Sequence, residues 1–266
     1  MLKLSCHKYK NNPFLIPNKD NPWEAEATFN PSIVQRDNIV YALYRSLSAK
    51  QEYEDQTLKL STIGSAESQD GLNFTNRRQL IIPEKIFEKF GCEDPRVTLI
   101  ENQFFIFYTA IGSWPPAAGS IKVAVALSDD LKTIKEKHLV TPFNAKAMAL
   151  FPAKINGQYW AVLTVNTDNP PARIALAQFN QLSDIWSESY WQQWYLELDQ
   201  HILELPRMNT DHVEVGAVPE LTNEGWVLVY SHIQNYKDES KNRSKRNALH
   251  KLRSTTNRQP AGDSRR

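Results

Sequence analysis

The chain has 266 residues, 41% hydrophobic, 23% charged and 11% aromatic, enough for one large domain or two small ones and unlike a disordered or fibrous protein. No apolar run reaches the roughly 18 residues of a membrane span, and two cysteines, Cys6 and Cys92, exclude a disulfide scaffold and fit a reducing compartment. CxxC, HExxH, Walker, GxGxxG and GxSxG patterns are missing, which removes the motif support for zinc, nucleotide and serine-hydrolase chemistry.

The first eight residues hold no apolar stretch of signal-peptide length, so the expected location is the cytoplasm. From residue 30 onward four segments follow one template: a proline, an apolar alternation, a polar turn and a strongly apolar strand. They are Asn30–Tyr44, Asp94–Tyr108, Phe151–Leu163 and Val218–Tyr230, with prolines at 31, 95, 152 and 219. Each reads as a β-hairpin, with turns such as Asn156-Gly157 and Glu224-Gly225 between β-rich runs.

A second hairpin follows each of the first three, over Ser61–Pro83, Ile121–Pro142 and, more loosely, Ala172–Trp194. Two hairpins make a four-stranded sheet, and repeated sheets about 60 residues apart make a β-propeller. Asn12–Pro17 resembles the outer-strand ends Leu80–Pro83 and Leu139–Pro142, so it is expected to supply a closing strand to the last blade. The expectation is an all-β protein with one propeller domain over residues 1–236. That domain holds about three and a half blades plus the N-terminal closing strand, an incomplete ring.

The formal charge of +1 conceals two unlike segments. Residues 237–266 carry ten Lys/Arg against three Asp/Glu and no aromatic side chain, leaving residues 1–236 at −6. Such a basic tail cannot bury enough surface to offset its ordering entropy, so it is expected to be disordered, the product of a frameshift or a truncated reading frame. With no aromatic for base stacking and its cations scattered, it does not read as a nucleic-acid site.

Inner strands line a propeller's channel, so the polar ends of the inner hairpins should converge there. These ends carry Asn30, Arg45, Glu93-Asp94-Pro95-Arg96, Lys146, Asp211-His212 and Tyr230-Ser231-His232. Two adjacent carboxylates and a guanidinium beside a rigid proline read either as a salt bridge capping a strand or as a catalytic cluster. Six scattered histidines have no ligand spacing, so no metal is expected.

In order and spacing, Asn12-Pro13, Trp23-Glu24, Phe29-Asn30-Pro31, Leu43-Tyr44-Arg45, Gly64-x-Ala66-x-Ser68-x-Asp70-Gly71, Glu93-Asp94-Pro95-Arg96, Lys146-x-x-x-Leu150-Phe151-Pro152 and Gly225-Trp226 form a set. Over residues 11 to about 236 the chain resembles glycoside hydrolase family 130, five-bladed propellers that include β-mannoside phosphorylases and related hydrolases. The resemblance implies cleavage of β-mannosides by inverting phosphorolysis or hydrolysis, with Asp94 as general acid. It implies inorganic phosphate as co-substrate in the first case and no other cofactor. A non-catalytic carbohydrate-binding propeller, or an inactive remnant, is the alternative.

By the same resemblance Asn30, Arg45, Glu93, Arg96, Lys146 and His212 bind substrate, and Arg45, Lys146 and His232 contact phosphate. Trp23 or Trp226 is a candidate for stacking on a sugar ring. The family's phosphorylases carry Tyr-His-Gly where this chain has Tyr230-Ser231-His232, so the histidine shifts to the opposite face of its strand. That leaves room for a hydrolase with Glu214 or Glu220 as base. The implied partner is a β-mannoside oligosaccharide, with neither nucleic acid nor membrane, and a homo-oligomer is left open.

Overall fold

The computed structural model of the protein describes residues 9–236 and the backbone of Leu249–Ser254. Among these residues the chain is mostly β and forms four antiparallel sheets. The first is a meander of β1 (Ala27–Arg36), β2 (Ile39–Tyr53), β3 (Gln56–Ser68) and β4 (Thr75–Ile81). The second repeats it with β5 (Gly91–Ile100), β6 (Gln103–Ile111), β7 (Ile121–Ser128) and β8 (Glu136–Leu139). The third holds β9 (Ala145–Leu150), β10 (Tyr159–Val165) and β11 (Arg173–Phe179). In the fourth, β14 (Gly225–Ile233) pairs on one side with β12 (His212–Val215) and β13 (Glu220–Thr222), and on the other with β15 (Leu249–Ser254).

The first strands of the first three sheets are each broken by an irregularity at the same register, and β12 of the fourth ends at the matching position. Phe29 faces Arg45 before the break, Glu93 faces Thr109 and Lys146 faces Thr164, while Val215, the last residue of β12, faces Tyr230. Immediately after the break Asn30, Asp94 and Ala147 take left-handed conformations, with φ of 49°, 52° and 51°. Asn and Asp tolerate that region because their short polar side chains bond locally, and Pro31 and Pro95 occupy positions that need no ladder donor. The third repeat is therefore set by Ala147, and Pro152 lies beyond the end of β9, four residues out of the expected alignment. The Asn156-Gly157 turn forms as expected, closing Ile155 onto Gln158.

Three apolar clusters sit between neighbouring sheets. Leu43, Ile63, Phe104, Ile106 and Tyr108 join the first to the second. Phe105, Phe107, Val125, Leu163, Trp191 and Trp194 join the second to the third, and Ala149, Val162, Val213, Leu228 and Tyr230 join the third to the fourth. One hydroxyl also bonds backbone across each of these boundaries. Ser32 Oγ accepts from Val97 N (3.0 Å), Thr98 Oγ1 donates to Leu150 O (2.8 Å) and Thr164 Oγ1 accepts from Val215 N (2.9 Å). The sheets thus stack face to face in chain order, with their first strands side by side.

A buried carboxylate clips the outer side of the first two sheets, repeated at an interval of 64 residues. Glu24 accepts from Tyr44 Oη (2.8 Å) and pairs with Arg77; Glu88 accepts from Tyr108 Oη and pairs with Lys137 (2.9 Å). Both carboxylates are fully buried.

Two expectations need correction. Ala172–Trp194 is not a hairpin: after β11 the chain turns helical through α1 (Glu188–Leu196) and α2 (Leu198–His201). Ser187 caps α1 by accepting from Tyr190 N, and Trp191 and Trp194, three residues apart, bury one face in the core between the second and third sheets. Asn12–Pro17 forms no strand in the fourth sheet. It lies against the first, where Leu15 O accepts from Thr28 (3.2 Å), Ile16 O accepts from Arg77 (2.7 Å) and Phe14 stacks on Phe74. Of residues 237–266 only the backbone of Leu249–Ser254 is described, running as β15 against β14; the expectation of disorder for this segment otherwise falls outside the described residues.

Candidate active site

The irregular first strands deliver their polar residues to one place. Asn30 Nδ2 donates to Asp94 Oδ1 at 2.7 Å, joining the two left-handed residues of the first and second sheets. Opposite Phe29 on β2, Arg45 reaches the same pair. Its Nη2 meets Glu93 Oε1 at 2.5 Å, its Nη1 lies 3.6 Å from Asp94 Oδ1, and its Nε donates to Ser61 Oγ. The guanidinium stacks 4.7 Å over the Phe29 ring, which fixes its plane. Asn30, Arg45, Glu93 and Asp94, singled out in the sequence, are therefore linked in one cluster, Asn30 to Asp94, Asp94 to Arg45 and Arg45 to Glu93.

Burial pushes the Glu93 carboxyl above its ordinary range; Arg45 opposes this and Asp94 adds to it. Asp94 keeps 16% of its side-chain surface open, enough to meet a ligand. Arg96 plays a different part from the one expected of a sugar-pocket residue. It is buried, donating from Nη1 to Pro95 O (2.9 Å) and from Nη2 to Val215 O (3.3 Å). That second bond links the second sheet to the fourth, so first strands of non-adjacent sheets meet, as they must around a common axis. Burial lowers the Arg96 pKa against the fields of Asp94 and Glu214, which places both carboxylates near this cation.

Lys146 occupies on β9 the register position that Glu93 holds on β5, and its field reaches Glu93. Its ammonium pairs with Asp168 at 3.0 Å. No sequence motif marks Asp168; it sits in a loop, and only folding brings it to a lysine 22 residues away. Against the opposing effect of burial, a hydrogen bond from Asn144 and the Lys146 charge hold the Asp168 carboxyl below its usual range. His212 lies on β12 with Nε2 3.5 Å from Glu214 Oε2. His232 is buried, and its Nε2 lies 2.9 Å from Asp211 Oδ2. Asp211 also accepts from Met208 N and Asn235 N, so this pair ties down the end of the fourth sheet.

The two tryptophans are packing residues. Trp23 stacks on Tyr44 at 6.4 Å above Gly64, whose absent Cβ would stand 2.6 Å from Tyr44 and 2.8 Å from Trp23. Trp226 meets Phe151 edge-on at 4.9 Å beside the core between the third and fourth sheets.

Residues 6–244 match the profile of Glyco_hydro_130, described as beta-1,4-mannooligosaccharide phosphorylase. The chain belongs to glycoside hydrolase family 130. A beta-1,2-mannobiose phosphorylase of Thermoanaerobacter sp. (strain X514) is 28% identical over 239 residues, covering 86% of this chain and 72% of the relative. A beta-1,4-mannooligosaccharide phosphorylase of Ruminococcus albus is 26% identical over 234 residues, covering 80% and 64%. The structure of the Listeria innocua beta-1,2-mannobiose phosphorylase in complex with beta-1,2-mannobiose superposes with a TM-score of 0.63 at 19% identity, covering 85% of this chain and 74% of that one. This family-130 chain thus shares the fold of that enzyme.

Proposed function

We propose that this family-130 protein cleaves β-mannosides by inverting phosphorolysis, with Asp94 as general acid. The observation that carries the reading is the contact of Asp94 with Asn30 and Arg45 where the first strands of separate sheets meet. The left-handed bulge projects the Asp94 carboxyl from its strand, and Asn30 fixes one of its oxygens. A phosphate oxygen attacks the anomeric carbon from the face opposite the leaving group. The glycosidic bond breaks as Asp94 gives its proton to the departing oxygen, and mannose 1-phosphate leaves with inverted configuration. Phosphate brings its own nucleophile, so the protein needs one carboxylic acid and cations rather than two carboxylates. Arg45 and Lys146 are the cations on this face, each steadied by an acidic partner, Glu93 and Asp168.

The same reading takes the four sheets as four blades of a five-bladed ring, the fifth standing between the fourth sheet and the first. Supporting it, the apolar clusters among the described residues lie at the first three boundaries in chain order.

The test incubates the protein with β-1,2- and β-1,4-mannobiose with and without phosphate. Phosphate-dependent release of mannose 1-phosphate is expected. Free mannose formed without phosphate would replace phosphorolysis by hydrolysis, and no turnover or binding of either disaccharide would remove the reading.

A further inference from the structure

Lys146 reaches the site from the third sheet, and its carboxylate partner is held by an amide two residues before the lysine. Asn144 is 8% exposed and uses both ends of its side chain. Its Nδ2 donates to Asp168 Oδ2 (3.1 Å), Ala118 O (3.1 Å) and Ile121 O (3.2 Å). Its Oδ1 accepts from Asp168 N (2.9 Å) and Thr167 Oγ1 (3.4 Å). The two protons and the two lone pairs of the amide are thus all engaged. Asp168 is gripped at its backbone and at Oδ2, which leaves Oδ1 for Lys146 Nζ at 3.0 Å.

These bonds join three pieces of chain. Ala118 and Ile121 lie where the connection from β6 enters β7, Thr167 and Asp168 belong to the loop between β10 and β11, and Asn144 leads into β9. The second sheet also carries Glu93 and Asp94, so Asn144 ties the Lys146 ammonium to the sheet that bears the acid. Strand pairing does not need this side chain. Val165 pairs with Ala145, Asn166 N donates to Asn144 O (3.0 Å), and Tyr195 Oη donates to Asn166 Oδ1 (3.0 Å). The Asn144 amide therefore serves orientation rather than the ladder. Inverting attack needs nucleophile and acid held on opposite faces of one bond, where a misplacement of about 1 Å costs about 10²-fold.

We propose that Asn144 is a positioning residue for the phosphate nucleophile: it holds Asp168, Asp168 holds the Lys146 ammonium, and that ammonium receives phosphate. The inference rests on the phosphorolysis reading above and adds to it a residue that acts only through others. The titratable groups of this network are Asp168, from the loop, and Lys146, from β9. Lys122, beside Ile121, points to the opposite face of β7, since Val123 packs toward the third sheet and Ala124 toward the first.

The test measures KM for phosphate and KM for mannobiose in the wild type, Asn144→Ala and Asn144→Asp, between about pH 5 and pH 8. Asn144→Ala is expected to raise KM for phosphate about three- to tenfold, the scale of one lost hydrogen bond, with KM for mannobiose and kcat little changed. Asn144→Asp is nearly isosteric and carries the test alone should Asn144→Ala fail to fold. Protonated, the introduced carboxyl still donates to Asp168, and KM for phosphate stays near the wild-type value. Ionised, it repels Asp168, so the ratio to wild type should climb with pH to about tenfold. Taking the ratio at each pH removes the titration of phosphate itself. A parallel rise in both KM values, a loss confined to kcat and thermal stability, or a ratio flat in pH would overturn the proposal. A readout free of turnover is the acetylation of Lys146 by acetic anhydride, followed by mass spectrometry. It should quicken about three- to tenfold in Asn144→Ala, as the ammonium loses its fixed partner. Should the wild type not use phosphate, the phosphorolysis reading falls, while faster acetylation still upholds the positioning of Lys146 by Asn144. An unchanged acetylation rate overturns that positioning whatever the activity.

Discussion

Replacing Arg45 by Met keeps most of the aliphatic stem and deletes the charge that faces Glu93 at 2.5 Å and Asp94 at 3.6 Å. Both members of the Arg45–Glu93 pair are about four-fifths covered, so removing this charge-assisted bond is expected to cost about 1–3 kcal/mol. Its pH dependence follows from Glu93, whose carboxyl is raised by burial above its ordinary value of 4.5. A carboxyl raised on folding subtracts stability as pH climbs past the unfolded value, because the folded state then holds a proton the unfolded state has lost. Arg45 limits that penalty only while Glu93 is ionised. The Arg45→Met deficit should therefore be small below pH 4.5 and full above the raised Glu93 pKa. Thermal unfolding across that range reads it, and a deficit independent of pH would refute the electrostatic account of this pair. In activity assays the same variant should drop about 10²–10³-fold in kcat/KM, the scale of deleting one preorganised charge at a reacting centre.

Gly64→Ala drives a methyl group to 2.6 Å from the Tyr44 ring and 2.8 Å from Trp23; it should cost about 1–3 kcal/mol, seen as a fall of several degrees in Tm. Lys137→Met strands the fully buried Glu88 without its cation and should cost about 3–5 kcal/mol in denaturant unfolding, well beyond Tyr108→Phe, which removes only one donor to that carboxylate. Asp168→Asn unties Lys146, so KM for phosphate should rise several-fold with little change in kcat. Because the Asp168 carboxyl is depressed on folding, its stabilisation is present above 3.8 and is lost as pH falls through the lower folded value; the stability deficit of Asp168→Asn should fade in acid.

The parts of the site legible in the sequence are those where local chemistry dictates conformation. Asn30-Pro31 and Asp94-Pro95 announce a bulge because the first residue tolerates a positive φ and the second needs no donor, and their 64-residue spacing places both on the axis. The third repeat carries its bulge on Ala147, which has neither signature, so Pro152 sets the sequence alignment four residues out. The helical insert follows a strand of ordinary β pattern, and the signal that points to it is the Trp191–Trp194 spacing after Ser187. Asp168 and the Asn166–Tyr195 contact depend on loops that meet only in the folded chain. Trp23 and Trp226 show the converse: aromatic residues in family motifs whose surroundings make them packing groups.

The central claim, that Asp94 protonates the leaving oxygen, is tested most directly by Asp94→Asn assayed on two substrates. With mannobiose, whose leaving alkoxide needs a proton, turnover should fall by about 10²–10⁴-fold, the usual contribution of a general acid. With 4-nitrophenyl β-mannoside, whose leaving group departs as a stable phenolate, the loss should be at least about tenfold smaller by the same argument. Equal losses on both substrates, or undiminished turnover of mannobiose, would contradict the account.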